Sequence, residues 1–313
     1  MSGSGFIARM RLLAAFAAVY LIWGSTFLAL ALGLQSIPPL LLMAARSIAA
    51  GVILLAIEQV RRPGFPPARA WAPAAVSGLL LFVGCHGMLA YAQQYVPSGL
   101  AAVMLATVPF WIVLLNDSAP AGARTRMLTF AGLLPGLAGV ALIAWPSDAG
   151  TAAPLDPKML VLLLVSAFFW AAGSLLSQRQ QALTSAVALS GMQLLCGGAA
   201  LLAGSALAGE LSRFAIRDVS AISWGGLGYL IGAGSVIGFT AYMWLLDHAP
   251  GPLVTTYTFV NPIIAVILGW RFLGERPTSP MLAGTALVIF SVVAVWRLGS
   301  RRPHGRGVIA EEA

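Results

Sequence analysis

Charge is what this sequence has least of. Only 9% of its 313 residues are Asp, Glu, Lys or Arg, against 59% hydrophobic residues and a mean hydropathy of +0.89. A soluble domain carries charge on about a quarter of its residues, so a water-soluble enzyme or binding module is excluded at the outset. Cysteine is nearly absent too. Cys85 and Cys196 both fall inside apolar runs, and two lone thiols there give neither a disulfide framework nor a metal site. No G-x-x-x-x-G-K-[ST] loop occurs, so ATP-driven pumping would need a partner. An embedded enzyme would need a nucleophile and base, or clustered metal ligands, at one depth. The only candidates are His86, Cys85 and the Asp247-His248 pair. No catalytic residue, cofactor or metal is therefore expected.

What the chain has instead is apolar length. A bilayer-crossing helix needs about 17–25 apolar residues. Ten such stretches occur, at about 11–33, 36–58, 72–94, 97–116, 127–145, 158–178, 185–207, 222–247, 250–271 and 279–297. The expectation is an all-α integral membrane protein of ten transmembrane helices. The first run continues through Trp23 to Leu34 with no convincing cleavage site, which reads as an uncleaved first helix. The net charge of +8 is distributed as a topology signal. With a cytoplasmic N-terminus, twelve basic residues lie inside (Arg9, Arg11, Arg61, Arg62, Arg69, Arg124, Arg126, Arg179, Arg297, Arg301, Arg302, Arg306). Five lie outside (Lys158, Arg213, Arg217, Arg271, Arg276), and Arg46 stays in the membrane. That asymmetry fits the positive-inside rule with both termini cytoplasmic, and accounts for the charge without a nucleic-acid partner.

The numbering holds a repeat. An offset of 147 carries Trp23 onto Trp170, Arg46 onto Gln193 and Gly51 onto Gly198. An offset of 153 carries Pro97 and Pro109 onto Pro250 and Pro262. The Pro-, Gly- and Asp-rich stretch 145–158 has the composition of a seam. The reading is a first repeat at 1–147, a second at 148–298 and a basic tail at 299–313. Five helices per repeat is an odd number, so the second repeat enters from the opposite side. Such inverted pairs are common in secondary transporters, which bind substrate near the midplane at the repeat interface. The segment "NPIIAVILGWRFLGERP" ends its apolar run in Gly274-Glu275-Arg276-Pro277. It reads as a helix-terminating turn, with Gly274 as a left-handed cap and Glu275 and Arg276 in the wet interface. Its first-half partner, "VPFWIVLLNDSAPAGARTR", lacks the Gly-Glu-Arg.

Four segments, "LIWGSTF", "MAARSIAAG", "GMQLLCGG" and above all "NPIIAVILGWRFLGERPT", resemble the drug/metabolite transporter superfamily in its ten-helix EamA branch. The likeness covers about residues 11–297. It implies a bacterial inner-membrane carrier, often an exporter of amino acids or related compounds. It also implies a central cavity ringed by helices one to four and six to nine, with five and ten peripheral. The missing first-half Gly-Glu-Arg departs from the family's pattern and leaves Asp117, Arg124 and Arg126 in a longer loop.

Polar and aromatic residues at mid-depth are the candidate substrate contacts. Arg46, near the centre of the second stretch, costs roughly 2.5–3.5 kcal/mol on insertion scales, and no carboxylate sits at its depth. It either meets a substrate carboxylate or caps freed carbonyls and ties two helices together. His86 titrates in a useful range; it contacts substrate or protons, or is satisfied by a neighbouring carbonyl. Tyr257, Thr258 and Asn261 form a polar stripe with Thr255, ahead of Pro262. Pro109 is the matching interruption in the fourth stretch, with Trp111 close by. Paired proline breaks point to a transporter's binding site, although hydroxyls also serve helix packing. Trp23, Tyr91, Trp111, Trp170, Tyr242 and Tyr257 would wall a cavity for apolar or aromatic amino acids or flat cations, or else pack against small residues. Trp71, Trp145, Trp224 and Trp296 fit an interfacial belt. Gly228/Gly232 and Gly234/Gly238 would permit close helix approach.

The function expected is a secondary transporter, an exporter of small metabolites such as amino acids, working by alternating access as a monomer or homodimer in the bilayer. Without a mid-membrane Asp or Glu, facilitated diffusion or exchange is at least as well supported as proton antiport. The rivals are a flippase for lipid-linked intermediates, a silent subunit, and a lipid-modifying enzyme.

Overall fold

The computed structural model describes residues 3–115, 156–249 and 256–300, with Val254 and scattered positions between 131 and 142. Among the described residues every regular element is helical. Six helices are long and apolar enough to cross a membrane: Met10–Gly33, Pro39–Arg61, Ala68–Ala92, Pro157–Leu183, Ala186–Leu207 and Ala221–His248. Three shorter apolar helices run over Ser98–Ile112, Val260–Leu273 and Ser279–Ser291. These fall on every apolar stretch of the sequence except the fifth, 127–145, most of which lies outside the described residues. So do the seam, Asp117, Arg124, Arg126, Trp145, Thr255 and the tail beyond 300.

The helices are labelled α1 (Gly3–Gly33), α2 (Pro39–Arg61), α3 (Ala68–Ala92), α4 (Ser98–Leu105), α5 (Val108–Leu115), α6 (Pro157–Gln180) and α7 (Ala186–Leu207). A single turn, α8 (Glu210–Arg213), leads to α9 (Ala221–His248), α10 (Tyr257–Leu268) and α11 (Ser279–Ser300). Their starts follow local chemistry. Pro39 opens α2 with its preset φ. Asp156, Ser185 and Ser220 cap α6, α7 and α9 by accepting from Lys158 N, Ala188 N and Ser223 N at 2.9, 3.0 and 3.1 Å.

Two features were not anticipated from the sequence. The middle of α3 (Leu79–Gly87) and of α9 (Leu230–Phe239) winds as π-helix, and a third π turn, Gly269–Leu273, ends α10. Each shifts the register of side chains around its helix. The other feature is a set of carboxylates seated on the starts of helices distant in sequence. Glu210 accepts from Leu40 N (3.3 Å) and Leu41 N (2.9 Å) at the start of α2, and from Ser205 Oγ (2.8 Å). At the other end of α2, Glu58 accepts from Ser185 Oγ (2.8 Å) at the start of α7. Glu275 accepts from Ser98 N (2.7 Å) and Gly99 N (3.3 Å) at the start of α4. The first N–H groups of a helix have no partner within it, and near a bilayer such orphans are expensive. A carboxylate satisfies them and complements the helix dipole.

The turn after α10 is therefore corrected. Gly274 does adopt a left-handed φ of +68°, as a terminating glycine should. Glu275, expected only in the wet interface, is instead half-buried and caps α4.

Packing is crossed along the chain. α2 lies along α7; α1 packs on α9 and α10; α6 packs on α3, α4 and α5. Between α4 and α5 the backbone turns at Ala106–Thr107, just before Pro109, so the interruption expected there is present. The one expected at Pro262 is not: α10 runs through it. One missing rung does not end a helix held on both sides. With its amide nitrogen turned to donate, Asn261 bonds Tyr20 O and Tyr257 O at 3.2 Å each, and Tyr20 OH bonds Thr256 Oγ1.

The glycine-rich run of α9 is also corrected. A Cβ at Gly228 or Gly232 would meet nothing within 4 Å, whereas one at Gly226 would lie 2.6 Å from Ala29 O and 2.9 Å from Gly33 N. Gly226, with Gly234 and Gly238, is what brings α1 close.

Replacing Gly226 by Ala should lower thermal stability in detergent by about 1–3 kcal/mol, because backbone atoms must move. Gly228→Ala should be neutral or stabilising by up to about 1 kcal/mol; equal effects would contradict the packing described. Glu210→Ala should cost about 2 kcal/mol, since it strands donors that have no other acceptor. A thermal midpoint unchanged in that variant would show that water replaces the cap.

Candidate functional site

A cavity lies between these crossed helices, with about 630 Å³ of empty space when the open solvent at its mouth is included. α1 lines it with Trp23, Thr26, Phe27 and Leu30, one face of consecutive turns. Arg46 enters from α2, His86 and Leu89 from α3, and Trp170 from α6. Ala102 and Leu105 of α4, Ala106 and Val108 at the break, and Tyr257, Thr258 and Asn261 of α10 complete it.

Seven of the ten residues singled out as substrate contacts are thus brought to one cavity. Trp23 and Trp170, matched by their offset in the sequence, meet edge to face with centroids 5.3 Å apart. Trp23 also packs on Tyr257 at 5.1 Å. Both indole N–H groups are used within the protein. Trp23 Nε1 donates to Gly234 O at 3.1 Å, in the π segment of α9, and Trp170 Nε1 donates to Tyr257 OH at 3.0 Å. The rings therefore face the cavity as apolar wall and leave no donor to spare.

Three do not line it. Tyr242 is 1% exposed behind the two tryptophans, 4.9 Å from Trp23, with its hydroxyl donating to Ser174 Oγ at 2.8 Å. It supports the wall. Tyr91 is 43% exposed and packs on Tyr95, because five residues beyond His86 the helix presents another face. Gln93, on the His86 side, instead donates from Nε2 to Phe27 O at 2.6 Å. Trp111 lies beyond the break in α5 and packs on Phe168 of α6, centroids 5.5 Å apart.

Arg46 is 5% exposed. Its Nε donates to Ser235 Oγ at 2.8 Å, and Nη1 lies 3.8 Å from Met43 Sδ. It ties α2 to α9, as one reading of the sequence held, but through a hydroxyl and not a freed carbonyl. Among the described residues no carboxylate pairs with it, and none lines the cavity. Gln193, at the matching offset, is treated differently. Its Nε2 donates to Ser77 Oγ (2.7 Å) and Ser177 Oγ (2.8 Å), and Ser77 donates to Gln180 Oε1 (2.8 Å), closing a buried neutral cluster.

His86 stands between Phe82 and Trp170, with centroids 5.2 and 5.3 Å away. Its Nδ1 is buried without a partner among the described residues, so the neighbouring carbonyl that would satisfy an ordinary interior histidine is missing. Sequence reasoning passed over Phe27 and Thr26, although both follow Trp23 at helical spacing. It also passed over Ser235, whose only signal was a lone hydroxyl inside the glycine-rich run.

The chain matches known proteins along nearly all its length. It is 36% identical over 279 residues to the inner membrane transporter YedA of Escherichia coli K12, covering 89% of this chain and 88% of that one. It is 26% identical over 278 residues to the protein PecM of Dickeya dadantii, 88% of each. It is also 26% identical over 298 residues to the transporter YvbV of Bacillus subtilis, covering 92% and 91%. A crystal structure with 20% sequence identity superposes with a TM-score of 0.67 over 93% of this chain and 99% of that one, a likeness of fold. Residues 10–145 and again 157–297 match the EamA-like transporter family, and the chain belongs to that family.

Proposed function

We propose that the protein is a secondary transporter of the bacterial inner membrane. It exports a small organic metabolite by alternating access between two inverted halves of five helices, with both termini cytoplasmic. The observation that carries this reading is the place of the cavity. It is lined by α1 to α4 of the first half and by α6 and α10 of the second, where the halves interlock. The crossed packing supports the inversion: α1 packs on α9 and α10 of the opposite half, and α6 on α3, α4 and α5 of its opposite. The carboxylates support it as well. Glu58 near the end of α2 holds the start of α7, and Glu210 just beyond the end of α7 holds the start of α2, an exchange expected of a pseudo-two-fold axis between them. The family and the names of its relatives point to transport.

Coupling to protons has little chemistry to work with. Among the described residues lining the cavity His86 is the one imidazole, and no carboxylate accompanies it to form the relay usual in pumps. Exchange or facilitated diffusion is the mechanism this composition supports.

The test is selective flux. Proteoliposomes loaded with a mixed small-metabolite extract should lose a few compounds selectively against empty vesicles, read by mass spectrometry. Imposing a pH gradient should change that flux less than about two-fold, and His86→Gln should leave the ratio unchanged. Loss of nothing from folded protein would contradict the transport reading. Gradient-driven flux abolished in His86→Gln would contradict the absence of coupling.

A further inference from the structure

We propose that the cavity selects monocarboxylate anions with an apolar or aromatic body and discriminates against amines, zwitterionic amino acids included. This deepens the transport reading and rests on the cavity being its binding site. It also narrows the broader expectation from the sequence, which admitted amino acids and flat cations.

The argument begins with charge. Among the described residues that line the cavity, Arg46 brings the only formal charge. A guanidinium carries five N–H donors, and here a single neutral hydroxyl, Ser235, takes one of them at normal length. A buried cation without a counter-charge is unfavourable, and a bidentate carboxylate is the ligand its planar fork fits best. The fold does not demand that openness. At the matching offset, Gln193 is neutral and enclosed by two serine hydroxyls.

Other side-chain donors of the lining are already engaged within the protein. The indole N–H groups of Trp23 and Trp170 are spent on Gly234 O and Tyr257 OH, and the amide nitrogen of Asn261 on Tyr20 O and Tyr257 O. His86 also lines the cavity, and its Nδ1 is buried with no protein partner among the described residues. An ammonium group would find no carboxylate among the described lining residues, and Arg46 would repel it. Aromatic faces attract cations, but these faces share the cavity with an unneutralised guanidinium. What they favour beside it is an apolar body on an anion.

Three ligands of matched shape separate the cases: 3-phenylpropionate, phenylalanine and 3-phenylpropylamine, titrated calorimetrically into the purified full-length protein. The anion should bind about 10- to 100-fold tighter than the amine, the range expected for one charged hydrogen-bonded contact, with phenylalanine between. Arg46→Gln should collapse the order, and Arg46→Lys, which keeps the charge, should preserve its sign. If Arg46→Gln does not fold, the wild-type order and the Arg46→Lys order decide. Amine or amino acid binding as tightly as the anion, or no binding of the anion to wild type, overturns the proposal. Selective vesicle flux of other solutes alongside that result would leave transport standing and remove only the anion preference.

Discussion

An unneutralised guanidinium inside a membrane-crossing bundle is the constraint around which the site is arranged. Arg46 costs roughly 2.5–3.5 kcal/mol to place at mid-membrane on insertion scales, and no carboxylate among the described residues offsets that cost. The protein answers with local geometry. The π segment of α9 brings Ser235 to Arg46 Nε and Gly234 O to the indole of Trp23. One irregular stretch of helix thus orients both the cation and the aromatic wall beside it. Gly234 and Gly238 are needed there. A Cβ at Gly238 would lie 2.6 Å from the Trp23 ring nitrogen, and one at Gly234 would crowd Thr26 and approach Arg46 Nη2 at 3.4 Å.

The same economy governs the helix ends. At the starts of α2 and α4 the free N–H groups are satisfied by a carboxylate from another helix end, Glu210 and Glu275, while α6, α7 and α9 use their own N-cap side chains. These contacts are few, polar and confined to the ends. The long helix flanks meet through small, aliphatic and aromatic residues, with a few buried polar ties such as Arg46 to Ser235 and Gln193 to Ser77 and Ser177. The π turns of α3 and α9 lie along the same helices, and such turns often occur at functional sites.

Much of this was legible in the sequence because it rests on periodicity and composition. Apolar length located the helices, and Trp23 and Trp170, singled out as mid-depth aromatics, meet edge to face at the cavity. Arg46 and His86 stood out as polar groups at apolar depth, and both reach the cavity. The failures share a cause. Tyr91, Trp111 and Tyr242 were chosen for chemistry and approximate depth, but the face a residue presents depends on register, and π turns and the break at Ala106–Thr107 alter register without a clear sequence signal. Pro262 looked like an interruption because a missing rung is visible in sequence, while the lateral bond of Asn261 to Tyr20 O of α1 is not. The capping role of Glu275 was hidden for the same reason: its partners lie more than 170 residues away.

The central claim is that one cavity is offered to both sides of the membrane in turn. Side-resolved alkylation tests it most directly. A single cysteine at Ala102, a buried residue of the cavity lining, would be introduced with Cys85 and Cys196 replaced. A membrane-impermeant thiol reagent would then be applied to one side or the other of oriented vesicles. The account predicts labelling from each side, with the balance shifting when a transported solute is added to saturation. Labelling from one side only, whatever the solute, would contradict it.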